Sequence, residues 1–293
     1  MKKWGFLLVF LLLCGVCFAE TLQYYQLYAP KEGMSADEIM QIKYFNKYSL
    51  FAKDYQQIGE VYYVEPNGAK RKRIWLRKRI IKAGKDGIAY KDAIVMSYPT
   101  EVKGLAVLTW TYEDPKRDQD VWLWIPSLKK ARKISSAEDD DAFMGSDFTT
   151  EEVSTRRFED ETYKLIGEKT FEGYKFDLTG ELKMTNRPCY VIECIPKKPY
   201  WYYAKRIVWV DKELGGGIFE EYYDKNGKLF KTIFREWQWI EISSDKKYPS
   251  QQSLVCKDLR TGHYTVITMK DTKYDQGLDE RLFTVEAISQ SRW

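Results

Sequence analysis

Histidine is almost absent from this chain: His263 is the only one in 293 residues. Beside a glycine turn it cannot build a His-rich metal motif, and no Gly-x-Ser-x-Gly elbow accompanies it. Cysteine is also scarce, with five residues, two of which (Cys14 and Cys17) lie in the N-terminal segment. Cys189 and Cys194 are five apart on one predicted strand and point to opposite faces, so they do not pair with each other. A bridge from either to Cys256 stays open, and the spacing supports no metal site. No strong charge excess is present: discounting Lys2 and Lys3 of the 47 basic residues against 43 acidic ones leaves about +2. That balance argues against a nucleic-acid partner. The acidic run Glu138-Asp139-Asp140-Asp141 lacks the alternating carboxylates that wrap calcium, and it reads as a solvated loop. Nothing near Ser146 would deprotonate it, Glu220 and Glu221 point to opposite faces of a strand, and Gly215-Gly216-Gly217 has no helix after it to cradle a phosphate. The expectation is a protein that is not an enzyme, with no catalytic residue, no metal and no cofactor. Pro-, Gly- or Ser-rich linkers and repeats are missing too, so residues 20–293 are expected to form one domain, although the length also permits two.

What is present begins with an export pattern. Lys2 and Lys3 precede the apolar run 6–13, which is too short to span a membrane, and the small Ala19 stands before Glu20. Residues 1–19 are therefore read as a signal peptide cleaved near Ala19, which gives a periplasmic address. Cys14 and Cys17 raise lipid anchoring as the alternative, but Leu13 and Val16 stand where an attachment cysteine wants a small residue.

Ser35-x-x-Glu38 has capping-box spacing, and Ile39, Met40, Ile42, Tyr44 and Phe45 follow as the apolar face of a helix. The pattern then changes to period two. Residues 58–64 and 71–81 flank Asn67-Gly68 as a hairpin, and strands are expected at 88–98, 105–112, 121–125 and 131–134. The second half reads as strands at 163–168, 174–184, 189–195, 204–211, 217–223, 228–242, 253–259 and 264–270, with a short helix near 283–288. In 71–81, Arg71, Arg73, Trp75, Arg77 and Arg79 share one face, opposite Ile74, Leu76 and Ile80. Charge rows on strands usually face water, so a solvated outer face is the first reading; a contact surface for anionic headgroups or an acidic partner is the other. In 228–242, Ile233, Trp237 and Trp239 oppose Phe234, Ile240 and Ile242, as on a strand buried twice or lining a cavity. The load of 10 Trp, 22 Tyr and 14 Phe either fills a core or, on a long curved sheet with more inner face than a few short helices cover, lines an apolar groove.

The most specific stretch is 110–152. Val121-Trp122-Leu123-Trp124-Ile125 is a strand ended by Pro126; a basic cluster (Lys129, Lys130, Arg132, Lys133) and the acidic run follow. Phe143-Met144-Gly145-Ser146-Asp147-Phe148 then reads as a tight turn, and Thr149 with Glu152 as a capping box. The Trp-x-Trp-Ile-Pro, the arginine and Phe-Met-Gly-Ser-Asp-Phe-Thr together resemble the LolA-like outer-membrane lipoprotein-sorting family. Tyr98-Pro99 and Val102-Lys103-Gly104-Leu105 fit the same pattern, and the likeness extends from about Ser35 onward. It implies a mainly β fold, an incomplete antiparallel β-barrel or strongly curved sheet with a few helices over its open side. It also implies a periplasmic carrier or chaperone that shields lipoprotein acyl chains or lipids, in lipoprotein sorting or lipid export. An inner-membrane transporter and an outer-membrane acceptor would be its partners. Trp110, Trp122, Trp124 and Met144 are then the candidate cavity residues, with Arg132 orienting the cargo. A non-catalytic docking module of an envelope complex is the alternative, favoured by the basic strand 71–79.

Overall fold

The computed structural model describes residues 28–134 and 140–290. The expected signal segment with Cys14, Cys17 and Ala19, and Glu138 and Asp139 of the acidic run, lie outside the described residues. Helix α1 (Ala36–Lys47) starts where the capping box places it: the Ser35 hydroxyl accepts from the Glu38 amide, and the Glu38 carboxylate accepts from the Ser35 amide. After it come β1 (Asp54–Val64), β2 (Lys70–Ile81), β3 (Ile88–Tyr98), β4 (Ala106–Tyr112), β5 (Asp120–Ile125) and β6 (Lys130–Ile134). The second half holds β7 (Glu161–Phe171), β8 (Tyr174–Lys175), β9 (Leu182–Lys183), β10 (Arg187–Pro196), β11 (Lys205–Asp211), β12 (Gly217–Tyr223), β13 (Leu229–Ser243), β14 (Lys246–Asp258) and β15 (Tyr264–Tyr274), then α2 (Val285–Ser289). No helix among the described residues is long and apolar enough to cross a membrane.

Thirteen strands form one antiparallel sheet in the order β6-β5-β4-β3-β2-β1-β15-β14-β13-β12-β11-β10-β7. It is a pair of meanders joined where β1 pairs with β15, strongly curved but not closed, because β6 and β7 stay at opposite edges. Register shifts place extra residues in β7, β12, β13, β14 and β15 and mark bulges, which bend strands and raise local twist. The fold class expected from the sequence is the one observed.

Two readings of strand pattern need correction. Residues 174–184 are not one strand: β8 and β9 form a separate small hairpin, closed by the Phe176 amide on the Glu181 carbonyl, that lies over Phe171, Phe234 and Val255. At the shift between Glu236 and Trp237, where Gln252 of β14 is the extra residue, the strict alternation of β13 is lost, and Ile233 joins one buried cluster while Phe234 and Trp237 share another.

The inner, concave face carries Val61, Trp75, Met96, Ile233, Leu254 and Ile267, and α1 covers its β10–β11 end through Ile39, Met40 and Tyr44 on Ile192, Val208 and Val210. On the outer face α2 covers Ala93, Ala106 and Leu108 with Phe283 and Ile288. Cys189, Cys194 and Cys256 are all free and buried, each in a different cluster, so no bridge to Cys256 forms. Burial pushes the Cys189 thiol up to about 12.

Gly59, opposite Trp75, gives that indole its place: a Cβ at 59 would lie 2.0 Å from the ring. Gly59→Ala should therefore lower the denaturant midpoint by the equivalent of about 1–3 kcal/mol through overpacking. Unchanged unfolding would show that the indole moves freely.

Candidate functional site

Because β6 and β7 stand at opposite edges, the chain between them has to link those edges, and its described part, from residue 140 on, runs over the concave face. Phe143-Met144-Gly145 makes a tight turn with Met144 at φ 53° and Gly145 at φ 73°. Ser146 closes this turn, its hydroxyl donating to the Phe143 carbonyl at 2.6 Å and accepting from the Phe148 amide at 3.3 Å. Phe148 is fully buried in the inner cluster. The Thr149–Glu152 capping box forms as read, with the Thr149 amide 2.7 Å from the Glu152 carboxylate, but it opens a single π-helical turn, Glu151–Thr155. The segment is pinned from below: Lys231 donates to the Asp147 carbonyl (2.9 Å) and pairs with Glu152 (3.2 Å), and the Thr265 hydroxyl donates to the Asp147 carboxylate (2.7 Å).

Under this segment lies an apolar cleft of about 830 Å³, counting the space at its open mouth. Val61, Trp75, Met96, Leu254, Ile267 and Met269 wall it from the sheet, and Phe143, Met144 and Val153 cover it. A neighbouring space of about 940 Å³ reaches Val107, Thr109 and Val121, and shares Ile94, Phe143, Met144 and Val153 with the first. A larger opening, about 1660 Å³, lies between α1 and the ends of β3 and β4, but Arg117, Asp118, Arg156, Arg157, Glu159 and Asp160 give it a charged lining. The first two are the places for an apolar ligand.

The basic strand does not face water. Across the β1–β2 hairpin, Arg73, Trp75, Arg77 and Arg79 lie opposite Val61, Gly59, Gln57 and Tyr55, on the face turned into the cleft. Arg77 and Arg79 both clasp Asp92, Arg79 at 2.5 Å, and Arg79 stacks over the Tyr90 ring at 4.0 Å. Burial alone would raise the Asp92 carboxyl, but the two guanidinium groups outweigh it and hold it down at about 2. Arg73 donates to the Met144 carbonyl at 3.2 Å, so it touches the covering turn. Arg71 alone stays outside, exposed and 3.4 Å from Glu65. The expected solvated face is therefore an inner wall, because aromatic and apolar residues of β1 share its side of the sheet.

Of the residues proposed for the cavity, Met144 lines it. Trp110, Trp122 and Trp124 do not: they lie on the outer face with Ala106 and Leu108 under α2, and the Trp110 indole donates to the Phe283 carbonyl at 3.1 Å. The neighbours on the cavity side are Val107, Thr109 and Val121. Arg132 is exposed on the edge strand β6 and lines neither space. His263 sits in its exposed turn, 3.2 Å from Glu65.

Beyond the cleft, under α1, is a buried ionic cluster that sequence reasoning missed. Glu220 meets Arg235 at 2.6 Å, Arg206 at 2.9 Å, Lys43 at 3.2 Å and Arg156 at 3.7 Å, and accepts from the Tyr222 hydroxyl at 2.7 Å. Glu161 binds Arg206 at 2.5 Å, and Glu151 binds Arg156. Burial opposes ionisation of Glu220 and Glu161, yet the surrounding cations prevail, holding Glu220 well below the usual range and Glu161 at about 2. The signal in the sequence was a charge at the inward parity of three strands, Arg206, Glu220 and Arg235. Without the pairing of those strands it could not be distinguished from a solvated face.

These findings can be set beside known proteins. Residues 90–290, more than half of the chain, match a family model described as "uncharacterized protein". A protein domain assigned to outer membrane lipoprotein sorting, from Vibrio parahaemolyticus, is 24% identical with a TM-score of 0.65, over 87% of this chain and 98% of that one. A DUF1329 family protein from Desulfovibrio piger is 23% identical with a TM-score of 0.66, over 85% and 98%. A LolA superfamily protein from Nitrosomonas europaea is 16% identical with a TM-score of 0.58, over 87% and 99%. At these identities the likeness is one of fold. No curated protein matches the sequence.

Two outcomes follow from the charges. Glu220→Gln leaves buried cations without their carboxylate, so unfolding should become easier by about 3–5 kcal/mol; a loss below 1 kcal/mol would show that water already serves them. Asp92 and Glu161 have folded pKa values depressed below their unfolded ones, so their contribution is present above about pH 4.5 and lost as pH falls toward 2. Chemical denaturation across that window should show the loss, with a shallower slope in Asp92→Asn.

Proposed function

The chain belongs to the uncharacterized-protein family matched across residues 90–290 and has the LolA-like fold, and from that premise we propose that it is a periplasmic carrier, holding lipid or lipoprotein acyl chains in the cleft without covalent chemistry. The observation that carries this reading is the cleft itself: an apolar cavity on the concave face of an open sheet, covered by a short segment instead of a closed core. An acyl chain gains about 0.8 kcal/mol for each CH₂ it buries there. Release then needs the cover, Phe143 to Val153, to shift, because burial that deep would otherwise trap the cargo. The periplasmic address rests on the pattern of Lys2, Lys3, the apolar run and Ala19, and the one-domain reading of residues 20–293 on the missing linker. A membrane transporter as donor and an outer-membrane acceptor complete the reading. The docking-module alternative has lost the feature that favoured it, since the basic strand turns inward from Arg73 to Arg79.

The test is native mass spectrometry of the exported protein purified gently, followed by solvent extraction. Bound lipid or acylated peptide is expected, falling at least tenfold when Ile94→Trp and Met269→Trp fill the cleft while melting stays cooperative. A clean apo mass together with no uptake of added lipid or lipopeptide overturns the carrier reading.

A further inference from the structure

The charges beside the cleft do not balance. Glu161 takes up Arg206, Glu151 takes up Arg156 and Glu152 takes up Lys231, which leaves Lys43 and Arg235 sharing Glu220. Lys47, one helical turn beyond Lys43, lines the cleft and has no carboxylate within ion-pair distance among the described residues. Its ammonium reaches only the Tyr48 hydroxyl, at 3.1 Å, and that residue's ring, at 4.7 Å. Arg235 also lines the cleft and is 2% exposed, and its Nε–H is buried with no acceptor. On the cleft's other wall Arg77 and Arg79 share the single Asp92. Glu152, the only carboxylate lining the cleft among the described residues, is already held by Lys231 and the Thr149 amide. Buried cations are ordinarily matched by carboxylates, so an excess placed at the wall of an apolar cavity asks for an anion from outside the chain.

We infer that the cargo is an anionic amphiphile, with an acyl chain along Trp75, Met96, Ile267 and Met269 and a carboxylate or phosphate head beside Lys47 and Arg235. This rests on the carrier reading and names the chemistry of its cargo. The apolar walls alone would accept any acyl chain; the charge excess makes the cleft discriminate among heads, because N–H donors to an anion are stronger than those to a neutral oxygen. Burial and the nearby Lys43, Arg235 and Arg156 push the Lys47 ammonium well below its usual range, and an anion beside it reverses that cost.

Binding to delipidated protein is measured by calorimetry with two matched pairs: palmitoyl lysophosphatidate against monopalmitoylglycerol, and palmitate against hexadecanol. In at least one pair the anionic member is expected to bind about tenfold more tightly than its neutral partner, as one charge-assisted hydrogen bond provides. The pair with the larger ratio tells a phosphate head from a carboxylate head. Lys47→Met should reduce that ratio several-fold through loss of the anionic member's affinity, with Arg235 still in place, and Lys47→Arg should retain it; thermal melts confirm that both variants fold. Equal binding within both pairs, or a preference that Lys47→Met does not reduce, overturns the head subsite and leaves the carrier reading standing. Failure of all four probes to bind counts against the carrier reading itself.

Discussion

One carboxylate, Glu220 in the middle of β12, has Lys43, Arg156, Arg206 and Arg235 within 3.7 Å and is wholly buried. Removing five such charges from water costs several kcal/mol for each ion, and the mutual attraction recovers this only when geometry satisfies them together. The four cations come from different parts of the chain: α1, the end of the crossing segment, β11 and β13. A buried ion pair of this kind adds little to stability over an apolar core, but it admits few alternatives in register. Helix, cover and sheet are therefore held in one arrangement, and the cleft between them takes its shape from that arrangement.

The same topology explains why there is a cleft at all. Two meanders joined at β1 and β15 leave β6 and β7 at the far edges, so the connection between them must link those edges, and its described part runs over the concave face. Thirteen strands present a larger inner surface than one helix of 12 residues and one short crossing segment can cover. The remainder is walled by Trp75, Met96, Leu254 and Met269. The crossing segment is fastened by polar bonds at Asp147 and Glu152, whereas Phe143 and Met144 meet the cleft through side-chain packing and two bonds to the Met144 carbonyl. Firm anchorage beside a lightly held turn suits a cover that has to yield without the sheet unfolding.

Local structure was legible in the residues. The capping box at Ser35 and Glu38, the Asn67-Gly68 hairpin and the strands at Ile88–Tyr98 and Gly217–Tyr223 all stand where the pattern placed them. So did the turn at Phe143 to Phe148, whose Met144 lines the cavity. Orientation was not legible. Apart from Asp120 at the start of β5, both parities of β4 and β5 are apolar or neutral, so little local separates Trp110, Trp122 and Trp124 from Val107, Thr109 and Val121; α2, more than a hundred and fifty residues later in the chain, decides which set is covered. The arginine row looked solvated because a strand read alone shows its charges and not its neighbours. Paired with Tyr55, Gly59 and Val61 across the hairpin, it belongs to the inner wall.

By itself the sequence determined the period of most segments, with their caps and turns, and hence a mainly β chain with one good helix. These follow from interactions within a few residues. The tertiary structure alone decided which face of each strand is the inside, where bulges reset the alternation in β13, and that Arg206, Glu220 and Arg235 meet Lys43 and Arg156. A period of two defines two faces without saying which is buried; that choice is made by curvature and by partners far along the chain.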